Sequence, residues 1–290
     1  MPEGFLAAAA LLPDEFKAAA LALPEQDKTR AEEIRLRSGR EATVLLPEGE
    51  RVFFRGVKTC ARDMGEVLER ATRSSVHSAS HELRRGFVSA PLGVRVGICG
   101  TLSDTESGGI RSVSSVCIRV PRQIKGAGAG AIALLTRSPD SALVLSRPGG
   151  GKTTFLRELV RTVSDTGVRV LLCDERGEIA AAHDGQPQFD VGRCTDVLTG
   201  APKAEAAMML LRAMNPQVIA LDEITEKRDI DAIENAANCG VRVYATAHAA
   251  SPDELTRRPL YRRLMEVRAF DAAVLISGAG AERHYEVTRL

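Results

Sequence analysis

The sequence predicts an α/β protein: a parallel sheet covered by helices in the C-terminal half, preceded by a smaller α+β domain. Three observations carry that reading. From about residue 140, short apolar runs alternate with helix-periodic stretches, the pattern of strands joined by covering helices. One junction, "ALVLSRPGGGKTTFLRELV" at residues 142–160, passes from an apolar run through three glycines into a helical repeat. Ahead of residue 125, helical and strand-like stretches are mixed without that regular alternation.

The bulk properties narrow the function. At 290 residues the chain can bury a sizeable core in two domains. A net charge of +1 with 27% charged residues describes a soluble globular protein, and no run of about 18 apolar residues suggests a membrane span. The start, "MPEGFLAAAALLPDEF", lacks a basic opening, carries Glu3 and is broken by Pro13, so it makes a poor leader peptide. Six cysteines without a C-x-x-C pair read as reduced thiols of a cytosolic protein, not as a disulfide framework or zinc site. With no Trp and 4% aromatic residues, a stacking platform for single-stranded nucleic acid is short of material, so nucleic acid is not the expected partner.

Taken in order, residues 1–28 read as Ala/Leu-rich helices punctuated by Pro13 and Pro24. "EEIRLRSGREATVLL" alternates as strands do, "DMGEVLERATRSS" reads as a helix, and "SASHELRRGFV" as a second helix leading into a strand. "GVRVGICGTL" and "IRSVSSVCIRVPRQI" are two further strands, joined by "SDTESGGI", a hairpin tip with a Gly pair. "KGAGAGAIALLTRSP" satisfies G-x-G-x-x-A, but it opens only a short helix before Pro139 and lacks the strand context of a dinucleotide fingerprint. It is read as a hinge. The expected division is therefore residues 1–125, a hinge at 126–139, and a catalytic domain at 140–290. In the latter, "ALVLS", helix 152–165, "VRVLLC", helix 203–214, "VIAL", helix 229–238 and "VRVYATA" alternate, and Ala204, Met208, Leu211 and Met214 form one helical stripe expected to pack into the core.

In such sheets ligands sit beyond the carboxyl ends of the strands, where polar residues cluster here. The loop after "ALVLS" matches G-x-x-x-x-G-K-[ST], except that Ser146 replaces the first glycine. Arg147, Pro148, Gly149, Gly150 and Gly151 would curl so that backbone N–H groups and the following helix dipole face a phosphate chain. Lys152 would reach the terminal phosphates, Thr153 would offer its hydroxyl to Mg2+, and Thr154 continues the cradle. After "QVIAL", Asp222 would hold magnesium and Glu223 would orient the attacking water. After "VRVLLC" comes "DERGE", where Asp174 or Glu175 would also reach the γ-phosphate region, leaving two candidate bases, Glu223 and Glu175. His248, after "VRVYATA", stands where a polar group senses the γ-phosphate. Residues 51–125 hold 13 Lys and Arg against 6 Asp and Glu, which reads either as a solvated basic face or as a surface for a phosphate partner.

With these residues placed, the chain resembles the stage III sporulation protein AA family, P-loop ATPases of endospore-forming bacteria. The likeness rests on "EIRLRSGRE", "ELRRGFVSAPLGVRVGICG", "IRSVSSVCIRV", "SRPGGGKTT", "DERGEIA", "VYATAHA" and, above all, "DVGRCTDVLTGAPKAEAAMMLLRAMNPQVIALDEI". It implies a RecA-like P-loop core, ATP and magnesium as cofactors, and kinship with secretion and pilus-motor ATPases, which are rings, usually hexameric. By position it makes Lys152 and Thr153 nucleotide ligands, Asp222 and Glu223 the second nucleotide motif, "DERGE" an acidic box and His248 a histidine box. Ring relatives complete each site with a neighbour's arginine, for which Arg95, Arg111 and Arg119 are equal candidates. The implied role is a ring motor, a homo-hexamer at the inner face of a membrane beneath channel proteins of the sporulation complex. An assembly hub that binds ATP with little turnover, and a nucleic-acid-stimulated ATPase, stand as alternatives.

Overall fold

The computed structural model describes residues 3–72, 83, 84, 86–102, 110–138, 140–278 and 280–290. By its internal contacts the chain divides into two compact units, residues 1–122 and 123–290.

The first unit opens with three short helices, α1 (Glu3–Ala10), α2 (Asp14–Leu21) and α3 (Glu25–Arg30). Pro13 and Pro24 occupy the N-cap positions of α2 and α3, where a missing N–H costs nothing, so the two prolines start helices as well as ending them. Strands β1 (Glu33–Arg37), β2 (Glu41–Leu46), β3 (Gly49–Lys58), β4 (Phe87–Ser89), β5 (Arg95–Leu102) and β6 (Ile110–Arg119) form an antiparallel sheet in the order β3-β2-β1-β6-β5-β4. Helix α4 (Ala61–Ala71) follows β3. Alternation settles which side each residue takes. Ile34, Leu36, Ala42, Val44, Val96, Ile98, Val116 and Ile118 are buried in one core with Phe5, Leu12, Phe16, Met64 and Val67. The opposite face carries Glu33, Arg35, Arg37, Arg95 and Arg119, with Arg119 directly across from both Glu33 and Arg95. The expected helix over "SASHELRRGFV" and the expected tip "SDTESGGI" lie largely outside the described residues.

The second unit contains α5 (Ala129–Leu135), β7 (Ala142–Ser146), α6 (Lys152–Asp165), β8 (Val170–Asp174), β9 (Thr195–Thr199), α7 (Lys203–Ala213), β10 (Val218–Leu221), α8 (Lys227–Asn238), β11 (Arg242–His248), α9 (Pro252–Arg257), α10 (Pro259–Glu266), β12 (Ala272–Ser277) and β13 (His284–Arg289). Its sheet runs β13-β12-β7-β11-β10-β8-β9, parallel throughout except for the last strand, β13. Strands β7, β8 and β10 are buried along their whole length, as expected where helices cover both faces. One core layer gathers Leu143, Leu145, Leu171, Ile219, Ile233 and Val243; the other gathers Val144, Phe155, Leu159, Leu172, Val218 and Tyr244. The carboxyl ends of β7, β8, β10 and β11 thus open on one edge of the sheet, each followed by polar residues.

One expectation gives way, and another gains packing detail. Of the glycine-rich stretch read as a hinge, 126–139, the described residues 126–138 belong to the second unit. Gly126 donates its N–H to Glu158 Oε1 at 2.8 Å, and Ala131, Ile132 and Leu135 are buried beside Phe155. Gly128, at φ +69°, lies so close that a Cβ there would meet the Phe155 ring at 2.5 Å, so close packing and turn geometry account for this glycine. Met208 on α7 and Met214 at its C-terminal cap are 45% and 40% exposed, against the expected stripe. The buried face is Ala204, Ala206, Ala207 and Leu211, whose small side chains share a core with Ile230 and Ile233 of α8. Strands β9, β12 and β13 lack a sequence signal: β9 and β13 lie at the sheet edges and are half exposed, and β12 opens on two alanines. Among the described residues no helix is long and apolar enough to cross a membrane.

Candidate functional site

Strand β7 delivers its last residue, Ser146, to the loop that precedes α6. The Ser146 hydroxyl donates to the Arg147 carbonyl at 2.8 Å, and the Gly150 N–H donates to the same oxygen at 3.1 Å, so the serine helps close the turn from the position the motif gives to glycine. A Cβ on Gly150 would lie 2.5 Å from Ser146 Oγ, and Gly149 and Gly151 hold φ of +74° and +98°, both left-handed. Arg147, Pro148 and Gly149 are exposed, while Gly150, Gly151, Thr153 and Thr154 are half-buried. Helix α6 begins at Lys152 with no side-chain cap, which leaves its first N–H groups and its positive dipole end facing the loop.

Lys152 is buried, and its ammonium lies 2.8 Å from His248 Nδ1. An ammonium can only donate, so Nδ1 accepts and the ring proton sits on Nε2. On that side of the ring, Glu223 Oε1 lies 3.1 Å from Nε2, an ion-pair contact. A continuous chain therefore runs Lys152–His248–Glu223, linking the ends of β7, β11 and β10. Beside it, Thr153 Oγ1 donates to Asp222 Oδ2 at 3.3 Å, and Thr246 Oγ1 donates to Asp222 Oδ1 at 2.8 Å. Thr246 also accepts the Glu223 N–H at 2.8 Å, which pins a residue whose φ of +40° is unusual for a non-glycine.

Burial dominates the electrostatics. It lowers the pKa of Lys152, against the attraction of Asp222 and Glu223. It raises that of Asp222, against the hydrogen bonds from Thr246 and Thr153. A chain of phosphates with a divalent cation fits this set: left-handed glycines where side chains do not fit, a buried cation, and a hydroxyl beside a carboxylate. Among the described residues no cluster of three His, Cys, Asp or Glu side chains could hold a metal, so magnesium at Thr153 and Asp222 would take its remaining ligands from phosphate and water.

In the "DERGE" stretch, Asp174 is buried and accepts the backbone N–H groups of Glu178, Ile179 and Ala180 at 2.9, 3.1 and 2.8 Å, so it braces its own loop at the wall of the pocket it shares with Asp222 and Glu223. Arg157 clamps the same loop through the carbonyls of Glu178 and Ile179 at 2.7 and 2.5 Å. Glu175 Oε2 is 3.3 Å from the buried ammonium of Lys203, which lies equally close to Asp229 Oδ2. Asp174, Glu175, Arg176, Lys203, Asp222 and Glu223 line a common pocket. Of the two candidate bases, Glu223 joins the phosphate-loop lysine through His248, and Glu175 is held by Lys203.

Sequence reading missed Thr246 and Lys203. Both stand within stretches it quoted, "VYATAHA" and "TGAPKAEAAMM", but a buried threonine and a lysine at a helix start carry no signal until the strands are ordered. Of the candidate arginines, Arg95 and Arg119 face each other across β5 and β6 of the first unit. Arg95 spreads its guanidinium 3.7 Å above the Phe87 ring, Arg119 is exposed, and the Arg111 side chain lies outside the described residues.

Residues 18–285 match the sequence profile of the family described as "Sporulation stage III, protein AA". The chain is 38% identical over 258 residues to Stage III sporulation protein AA of Bacillus subtilis, covering 86% of this chain and 83% of that one. Among solved structures, it resembles the pilus retraction motor PilT with bound ADP, at 17% identity and a TM-score of 0.65 over 89% of this chain and 79% of that one. It also resembles the ATPase DotB of Yersinia pseudotuberculosis, at 15% identity and a TM-score of 0.61 over 96% and 79%. At these identities the likeness shows the fold, a RecA-like P-loop core behind a smaller α+β unit.

Proposed function

The chain belongs to the sporulation stage III protein AA family, and from that premise we propose that it is an ATP hydrolase, acting as a ring motor for a secretion-like channel complex during endospore formation. The observation that carries the hydrolase is the Lys152–His248–Glu223 chain beside the Thr153–Asp222 pair, all at the carboxyl edge of one parallel sheet. The ring and its motion are supported by the shared fold with a pilus retraction motor.

In this reading the backbone of residues 148–153 and Lys152 hold the phosphate chain, and Thr153 and Asp222 hold magnesium. When bound, magnesium neutralises charge on the β- and γ-phosphates. Glu223 takes the proton of the attacking water. His248 keeps Oε1 of that carboxylate oriented through its Nε2 proton, while its Nδ1 accepts from Lys152. A phosphate that draws Lys152 away from Nδ1 thereby reaches the Glu223 carboxylate through one imidazole ring. Each site is completed by an arginine of a neighbouring subunit in a homo-hexamer, docked on channel proteins at the inner face of a membrane.

Turnover of ATP by the purified protein tests this. Lys152→Ala should abolish or severely weaken ATP binding. Glu223→Gln should keep binding while lowering turnover by about 10²–10⁴-fold, the usual worth of a general base. Glu175→Gln should retain more activity than Glu223→Gln; the reverse order moves the base to Glu175. Binding without turnover in the wild type favours an assembly hub, and turnover that rises with single-stranded DNA favours a nucleic-acid-stimulated enzyme.

A further inference from the structure

The short turn between β12 and β13 brings an arginine onto the phosphate loop. Gly278, at φ +75°, lets the chain fold back so tightly that a Cβ there would meet the Glu282 carbonyl at 2.3 Å, and Gly280 adds a second left-handed step at φ +58°. Arg283 emerges from this turn. Its side chain lies against Gly151, the glycine immediately before Lys152: a Cβ on Gly151 would be 3.1 Å from Arg283 Nε and 3.2 Å from Cζ. Nε is buried and has no hydrogen-bond partner among the described residues. A guanidinium is a strong donor that folded proteins rarely bury with a donor unmatched, so its position beside the loop calls for an acceptor.

Strand order says which part of a nucleotide that acceptor belongs to. The phosphate-loop strand β7 lies between β11 and β12. His248, Asp222 and Glu223 come from β11 and β10, on one flank, and the Arg283 turn follows β12, on the other. With the γ-phosphate end on the flank of Glu223, a donor on the opposite flank meets the part of the phosphate chain nearer the nucleoside. We propose that Arg283 is a further nucleotide-binding residue of the same subunit, its guanidinium donating to the α- and β-phosphates shared by ADP and ATP. This rests on the reading of the loop as a nucleotide site.

The test is equilibrium binding of ADP and of ATP with magnesium to the full chain, in the wild type, Arg283→Gln and Arg283→Lys, with thermal unfolding of each in the absence of nucleotide. Loss of a charge-assisted hydrogen bond predicts that Arg283→Gln weakens ADP and ATP alike by about tenfold, with an unchanged melting temperature. Arg283→Lys keeps the charge without Nε and should fall between the two. Should Arg283→Gln bind both nucleotides within twofold of the wild type, or lose ATP alone, the assignment is overturned. Were Arg283→Gln to unfold, Arg283→Lys decides: binding of both nucleotides at wild-type strength would overturn the assignment. A wild type that binds neither nucleotide sinks the nucleotide site itself, not the arginine.

Discussion

Asp222 is a carboxylate that the folded chain holds at a cost. Burial raises its pKa above the ordinary 3.8, so at neutral pH folding must desolvate a charge that the unfolded chain leaves in water. The sign follows directly. Below 3.8 the group is protonated in both states and contributes nothing; as pH rises through the raised folded pKa, stability is lost, and the loss is complete above it. Asp222→Asn keeps an acceptor for Thr246 and removes the charge. Its melting temperature should exceed that of the wild type at pH 7, with the gain shrinking as pH falls towards 4, while magnesium-dependent ATP affinity drops roughly tenfold or more. A variant that melts lower than the wild type at pH 7 would show that the charge stabilises the site. The types and order of Lys152, Thr153, Asp222 and Glu223 were legible in the sequence, because motif spacing beyond a strand end fixes them. The role of His248 as a bridge from Lys152 to Glu223 was not, since β11 had to be inserted between β7 and β10 first.

At the scale of elements, the loop after β7 shows how a departure from a motif is absorbed. Ser146 occupies the position of the first glycine, and the space it fills is the space a side chain on Gly150 would need. Gly150→Ala should therefore distort the loop and weaken ATP binding by about tenfold or more. Ser146→Gly removes two of the three closest atoms, those at 2.5 and 2.8 Å, so Gly150→Ala in the Ser146→Gly background should regain part of the affinity. Equal losses in the two backgrounds would place the strain on the Arg147 carbonyl at 3.0 Å. Helix α7 teaches a different lesson. Periodicity identified the helix, yet it picked the methionines for the core because hydrophobicity alone ranks Met above Ala. The neighbouring helix α8 selects small residues, and only its position reveals that.

For the whole molecule, the antiparallel sheet of the first unit has a face carrying Arg35, Arg37, Arg95 and Arg119, of which Arg35 pairs with Glu33 and Arg37 with Glu50. In the proposed ring, sites shared between neighbours would give Arg95 or Arg119 a role in catalysis. Removing the arginine that serves a neighbour should lower turnover by roughly a thousandfold with little change in ATP affinity. Subunits carrying Lys152→Ala and subunits carrying an Arg95, Arg111 or Arg119 substitution, each inactive alone, should recover part of the activity when mixed, because some interfaces then pair an intact loop with an intact arginine. Mixed assemblies that form but stay inactive at every ratio would count against shared sites. Subunit number measured with and without ATP by light scattering gives the size of the ring.

By itself the sequence determined the α/β class, the alternation from residue 140 onward, the glycine-rich loop between β7 and α6 and the carboxylates after β10, since these follow from local periodicity and from spacing along the chain. The tertiary structure decided what depends on which strands are neighbours. It tied Asp174 into its own loop and Glu175 to Lys203, and left Glu223 on the chain to Lys152. It packed Gly128, Ala131, Ile132 and Leu135 beside Phe155 and turned Arg283, 132 positions after Gly151 in the sequence, onto that glycine. The physical reason is the same in each case: a hydrogen bond or a steric contact acts over a few ångströms of space, whatever the separation along the chain, and strand order alone converts one into the other.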